Sequence, residues 1–265
     1  MIVEPGTRVL LTGASGGIGI ATARAFAARG AQLILSGRRA DVLEPLAAET
    51  GGRPLPCDLA DPAAVERLAE DAGELDVLVA NAALPASGEL GSFSVEQLDR
   101  ALAVNLRAPM VLARSVASGM IERRRGGHLV FVSSMSGKAA SPGGSVYSAT
   151  KFGLRGFALG LRQDLRRHTI GVSTVFPGFI RDAGMFADTG AKLPSYVATR
   201  TPDDVARAIL DAIEHDRGEV DVAPLSVRAG AAAASVLPEV VARVQARLGA
   251  ADIALRMAEA QASKR

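Results

Sequence analysis

The sequence predicts a doubly wound α/β fold, with about seven parallel strands and helices on both faces of the sheet. Three observations carry this. Short apolar runs alternate with longer amphipathic stretches between residues 8 and 222. The apolar runs are continuous, as strands buried on both faces require. The first run ends in a glycine-rich turn, "TGASGGIG" at 12–19, that opens an Ala-rich helix.

Taken in order, "RVLLT" (8–12) is the first buried strand, and the helix after the turn runs to about Arg29. "AQLILS" (31–36) is the second strand, followed by a helix through about Thr50. "RPLPCDL" gives a short third strand. "DPAAVERLAEDAG" is a helix with Asp61 as its N-cap and Pro62 at the first helical position. "LDVLVANAA" holds the fourth strand. "SVEQLDRALAVNLRAPMVLARSVASGMIERR" reads as one long helix opening at Ser94. "GHLVFVSS" is the fifth strand, "SVYSATKFGLRGFALGLRQDLRRH" the next long helix and "GVSTVFPG" the sixth strand. Thr201 caps the helix "TPDDVARAILDAIEHD", with Pro202 behind it, and "GEVDVA" is the seventh strand. No repeat or linker interrupts the chain. Residues 1–265 therefore read as one domain, with 224–265 as an Ala-rich helical extension.

Composition sets outer limits. Hydrophobic residues make up 48% but aromatics only 4%, with no Trp, so Ala, Val, Leu and Ile must build the core. A net charge of +2 is too mild to argue for a nucleic-acid partner. The one basic run, Arg123-Arg124-Arg125, reads as a solvated helix end. A single Cys57 leaves no internal disulfide and suits a reducing compartment. No signal peptide and no membrane span are read, so a cytoplasmic protein acting on small molecules is expected. "AGAAAASVLP" (229–238) reads as a buried or subunit-contact segment. His128, His168 and His215 lie at element edges without metal-ligand spacing, so no metal site is expected.

Two motifs carry chemistry. In "VYSATKFG" (146–153), Tyr147 is one of two tyrosines, and Lys151 follows it by one helical turn on the same face. A free phenol has a pKa of about 10, and a nearby ammonium favours its ionised form. Lowering it by about 3 units takes roughly 4 kcal/mol, more than one lysine near solvent supplies. A second positive group, such as an oxidised nicotinamide ring, would help. Alone, the tetrapeptide is equally a chance pairing on a surface helix. In the glycine turn, Gly13, Gly17 and Gly19 would let the backbone approach a pyrophosphate whose charge meets the helix N-terminus. An ordinary flexible turn is the other reading.

The spacing Gly13-x3-Gly17-x-Gly19 resembles the short-chain dehydrogenase/reductase family. Asn81 after the fourth strand, Asn105 within the long helix, Ser134 at 13 residues before Tyr147, and Pro177-Gly178 follow in family order. The likeness covers about residues 7–222. It implies a Rossmann-fold oxidoreductase that moves a hydride between NAD(P)H and a carbonyl or secondary alcohol. Tyr147 would exchange a proton with the substrate oxygen, and Lys151 would lower its pKa and bond the nicotinamide ribose. Ser134 would donate to the carbonyl. Asn105 would help hold a water linking Lys151 to solvent. The resemblance adds Ser15, Gly16 and Ile18 in the turn, Leu59 beside Asp58 at the adenine, and Ala82 beside Asn81 to the cofactor-binding set, with Tyr147, Lys151, Pro177 and Gly178. An acid closes the second strand where NAD is held; here Gly37 is followed by Arg38 and Arg39, which suits the phosphate of NADP(H).

Two departures are visible. Ala80-Asn81-Ala82-Ala83 replaces the family's NNAG, and Asp182 stands where a Thr often bonds the carboxamide. Residues 179–200 fall at the family's mobile substrate loop. Their Met185, Phe186, Leu193 and Tyr196 point to an apolar ketone or alcohol. A homo-oligomer is expected by analogy, through the two long helices. Two other classes share parts of this pattern: a nucleotide-sugar epimerase or dehydratase, and an NADP-binding regulator without turnover. The first usually has another glycine spacing and a longer substrate domain. The second would favour loss of Tyr147 or Lys151, and both are present.

Overall fold

In a computed structural model, seven strands form one parallel sheet: β1 (Arg8–Thr12), β2 (Gln32–Gly37), β3 (Arg53–Pro56), β4 (Val77–Ala80), β5 (Gly127–Val132), β6 (Ile170–Pro177) and β7 (Glu219–Val222). Their order is β3-β2-β1-β4-β5-β6-β7, so the winding direction reverses between β1 and β4. A crevice at the carboxyl ends of these two strands is where such sheets hold ligands. The structure describes residues 1–183, 185, 198–247 and 260.

Strand pleating sorts the core into two layers. Leu10, Leu78, Leu129 and Phe131 point to one face, where they meet Val65 and Leu68 of α3 (Pro62–Ala72), Leu112 and Met120 of α5 (Ala108–Arg123), and Leu154 of α6 (Ser145–Leu165). Their neighbours Leu11, Val79, Val130 and Val132 point to the other. There they meet Phe26 of α1 (Gly17–Ala27), Leu43 of α2 (Ala40–Thr50) and Ile209 of α7 (Pro202–Glu214). Both faces are apolar and covered, which is why the strands read as continuous apolar runs.

The expected caps form. Asp61 accepts from the Ala63 N–H at 2.9 Å. Thr201 and Asp204 bond reciprocally, as do Ser94 and Gln97. The single long helix expected from Ser94 is instead broken. It runs as α4 (Val95–Leu102), one wide π-type turn (Ala103–Arg107) and then α5. Pro109 accounts for the break. It has no N–H to give to the carbonyl four residues earlier, that of Asn105, and its ring crowds the same group. The third strand is also shorter than its apolar run, ending at Pro56.

Beyond β7 the chain forms α8 (Leu225–Val236) and α9 (Pro238–Arg247). The expectation that 229–238 is buried holds for Ala231 alone; Val236 is 77% and Leu237 55% exposed. Among the described residues no helix is long and apolar enough to cross a membrane.

His128, which the sequence places at an element edge, is buried in β5, with Nε2 2.7 Å from Ser173 Oγ. Burial pushes its pKa down to about 4. The unfolded chain would bind a proton at this histidine below about 6.5. Between those values the unfolded state holds more protons, so stability falls as pH drops from 6.5 toward 4. Chemical denaturation at pH 7 and pH 5 should show a loss of about 2 kcal/mol at the lower pH. His128→Gln should remove most of that slope, and an equally steep His128→Gln protein would contradict the assignment.

Candidate functional site

Strand register gathers the candidate residues at one end of the sheet. Thr12 lies opposite Ala80, Ala80 opposite Phe131 and Val132 opposite Val175. The segments that leave these strands, Gly13, Asn81, Ser133-Ser134 and Gly178, therefore surround one crevice.

The glycine turn is built by packing. Gly13 has φ +66°, and a Cβ there would lie 2.7 Å from the Ala82 Cα. At Gly19 a Cβ would lie 2.1 Å from the Gly13 carbonyl oxygen. Asn81 Nδ2 donates to the carbonyls of Thr12 and Gly13, both at 3.1 Å. The Asn81 side chain thus braces the turn. Ala82 presses its backbone against Gly13 from the same side. Gly16 caps α1 with no side-chain bond and no acid in the first turn, so the first N–H groups of the helix stay open. An anionic group fits there. A Cβ on Gly17 would sit 2.1 Å from the Ala183 Cβ, so the segment after β6 rests against the turn. Ser15 is nearly buried and Ile18 half-buried beside it.

The cationic end of β2 divides in two. The Arg39 guanidinium donates to the Ser15 carbonyl and so ties β2 to the glycine turn. Arg38 is exposed and close enough to Asp58 to favour its ionised form. Burial raises the Asp58 carboxyl, but the Ala60 N–H, Arg100 and Arg38 outweigh this and hold it below the usual range. Arg100 Nη2 lies 3.0 Å from Asp58 Oδ2. That partner was not foreseen, since α4 is distant from Asp58 in sequence. Leu59 beside it is buried.

On the catalytic side, Tyr147 and Lys151 share a face of α6. Lys151 is 1% exposed, and its Nζ lies 5.6 Å from the Tyr147 ring centroid and donates to the Val132 carbonyl at 3.1 Å. Burial pulls its pKa down to about 8. Burial also pushes the Tyr147 phenol up to about 12, and the Ser134 hydroxyl, hydrogen-bonded to it, is what works in the other direction. Lys151 is fully buried and Tyr147 partly so, and the ammonium bonds the Val132 carbonyl. At neutral pH Tyr147 therefore carries its proton.

Ser134 opens a short turn, Met135–Gly137, and its Oγ also accepts from the Ser136 N–H at 3.1 Å. Ser133 donates to the Lys151 carbonyl at 3.2 Å. Gly137 lets the turn press on α6: a Cβ there would lie 2.6 Å from Ser133 Oγ and 2.8 Å from the Lys151 carbonyl oxygen. The role of Gly137 was missed, although its place in "SSMSG" signals a tight turn. The Asn105 side chain is engaged within the protein. It is fully buried, with Oδ1 accepting from the Leu84 N–H at 2.7 Å and Nδ2 donating to the Leu84 carbonyl at 3.0 Å and to Thr150 Oγ1 at 3.4 Å.

Pro177 ends β6, and the Gly178 N–H donates to the Val222 carbonyl at 3.0 Å. Asp182 has φ +70° and pairs with Arg181 at 3.4 Å. Met185 is half-buried, while Phe186, Leu193 and Tyr196 lie outside the described residues. Among the described residues no cluster could hold a metal ion.

The comparisons agree with this geometry. The model of the short chain dehydrogenase family matches residues 7–194. The ketoacyl reductase HetN of Nostoc sp. is 33% identical over 231 residues, which cover 84% of this chain and 80% of that protein. The dehydrogenase/reductase SDR family member 7B of Bos taurus is 35% identical over 237 residues, 81% and 73% of the two chains. Among solved structures, a metagenomic short-chain oxidoreductase in complex with NADP superposes with a TM-score of 0.71 at 33% identity, covering 84% of this chain and 99% of that one. With its seven-stranded doubly wound sheet and its glycine turn, the chain belongs to the short-chain dehydrogenase family of NAD(P)-dependent oxidoreductases.

Proposed function

We propose that the protein reduces a ketone with apolar substituents, or oxidises the matching secondary alcohol, using NADP(H), and that residues 1–265 act as one domain. The observation that carries this reading is the meeting of Ser134 and Tyr147 at the mouth of the crevice, with Lys151 one turn further along α6. A carbonyl that accepts hydride gathers negative charge on oxygen, and it needs a donor already in place and a proton. Ser134 is the donor and Tyr147 the proton source. When bound, the dinucleotide supplies the hydride. Residues 13–19 and the open end of α1 hold its pyrophosphate. Lys151 holds the ribose, and the Asn105 carbonyl orders a water on the path by which Tyr147 regains its proton.

Arg38 supports NADP(H) over NAD(H): both arginines at the end of β2 are exposed, but the Arg39 guanidinium donates to the Ser15 carbonyl. One relative is named a ketoacyl reductase and one solved neighbour a putative betaketoacyl-ACP reductase, so an acyl ketone belongs in any substrate test. Leu102, Met110, Phe152 and Leu159 lie exposed on α4, α5 and α6, which supports a homo-oligomer through this face. The direct test is a panel of aliphatic, alicyclic and ketoacyl substrates with NADPH consumption as readout. No turnover on any of them would overturn the reading. Arg38→Asp should weaken NADPH binding by about a hundredfold, roughly 2.7 kcal/mol, and NADH binding by less than about threefold. Equal weakening of both in titration would remove the argument for NADP(H).

A further inference from the structure

A charged network behind the crevice has no part in the chemistry above. Lys138 ends the turn that Ser134 begins, and its side chain is only 14% exposed. Its Nζ lies 2.7 Å from Asp221 Oδ1, 3.1 Å from Glu219 Oε2 and 4.1 Å above the Phe176 ring centroid. Arg155 stands on α6 two turns after Tyr147 and one after Lys151. Its Nε and Nη2 grip the same Glu219 at 2.6 and 3.1 Å. Arg155 also lies over Phe176, with Cζ 5.7 Å from the centroid. One carboxylate on the edge strand thus takes a cation from the Ser134 turn and a cation from the helix that carries Tyr147. Helix α8 joins in. Ser235 donates to the Lys138 carbonyl at 3.4 Å, and Arg228 lies 3.7 Å from Asp221.

We infer that the Lys138–Glu219–Arg155 bridge sets the separation of Ser134 and Tyr147, with Lys138 as a positioning residue. The inference rests on the reading of those two as the reacting pair. Two features favour positioning over ordinary surface pairing. The three side chains are 14%, 24% and 28% exposed, so they are shielded more than a solvent-exposed pair, which contributes little. They also connect the two segments whose relative placement the chemistry needs. Apart from the bridge, the Ser134 turn is tied to α6 by the Ser133 bond to the Lys151 carbonyl and by the close contact at Gly137. The Ser133 bond holds its start, and the Gly137 contact and Lys138 hold its end. A displacement of about 1 Å at a reacting group can cost on the order of a hundredfold in rate.

The test uses two readouts. With only two tyrosines, ring-labelled [13C]tyrosine gives two Cζ signals, and Tyr147→Phe assigns them. Ser134→Ala should move the Tyr147 signal. Lys138→Met should move it in the same direction, lower kcat by about tenfold or more and leave NADPH affinity within about twofold. Lys138→Arg, which keeps the charge, should restore the signal and keep kcat within about threefold of native. If Lys138→Met does not fold, Glu219→Gln is expected to give the same pair of changes. An unmoved Tyr147 signal, or kcat within twofold of native, would overturn the bridge. A moved signal together with full turnover in Tyr147→Phe would leave the bridge standing and defeat the assigned chemistry instead.

Discussion

Tyr147→Phe is expected to lower NADPH-linked ketone reduction by about a thousandfold while leaving NADPH affinity within about twofold. The phenol is pushed up to about 12 by burial, so at neutral pH it is a proton donor, opposed only by the Ser134 hydroxyl. Phenylalanine keeps the ring against Ala86, Ala101 and Val146, where Tyr147 packs, so the crevice should hold its shape. What disappears is the one acidic hydrogen beside Ser134. A positioned general acid contributes about a hundred- to ten-thousandfold, and the middle of that range is the expectation here. Steady-state rates and cofactor titration on one preparation separate the two effects. A variant within tenfold of native in rate would mean that another group delivers the proton.

The sequence made Tyr147 and Lys151 legible because helix geometry fixes an i,i+4 pair whatever surrounds it. It did not reveal how deeply Lys151 is buried or that its ammonium turns to Val132, since burial depends on packing by segments remote in sequence. The glycine turn was read for its nearness to phosphate, yet Gly13 and Gly19 are needed first by the Ala82 backbone and the turn's own carbonyl. The backbone partners of the Asn81 and Asn105 side chains were hidden for one reason. A side-chain amide has donors and an acceptor, and a sequence does not show which backbone groups will claim them. The π-type turn at Asn105 was within reach: Pro109 follows by four residues, and a proline removes that helical bond wherever it sits. The bridge through Lys138 could not be read, because it joins residues from the Ser134 turn, α6 and β7.

Lys151→Met is expected to abolish turnover and, without cofactor, to make the protein more stable. The ammonium is 1% exposed, has one carbonyl at 3.1 Å and, among the described residues, no carboxylate partner. Burial brings its pKa down to about 8. An unfolded lysine titrates at about 10.4. Between those values the unfolded chain holds more protons, so the lysine's contribution to stability improves as pH rises through that window. Below it, at pH 7, the folded protein carries the full cost of a desolvated charge, about 3 kcal/mol for a depression of this size. Methionine fills the space of the lysine stem without the charge and forfeits one hydrogen bond of about 1 kcal/mol. The balance is a gain of about 2 kcal/mol at pH 7 that shrinks toward zero near pH 10. Denaturation of both proteins at the two pH values measures it. A methionine variant less stable than native at pH 7 would show that the lysine is held for the fold. A gain together with lost activity would show a buried cation kept at a standing cost for its proposed task at the ribose.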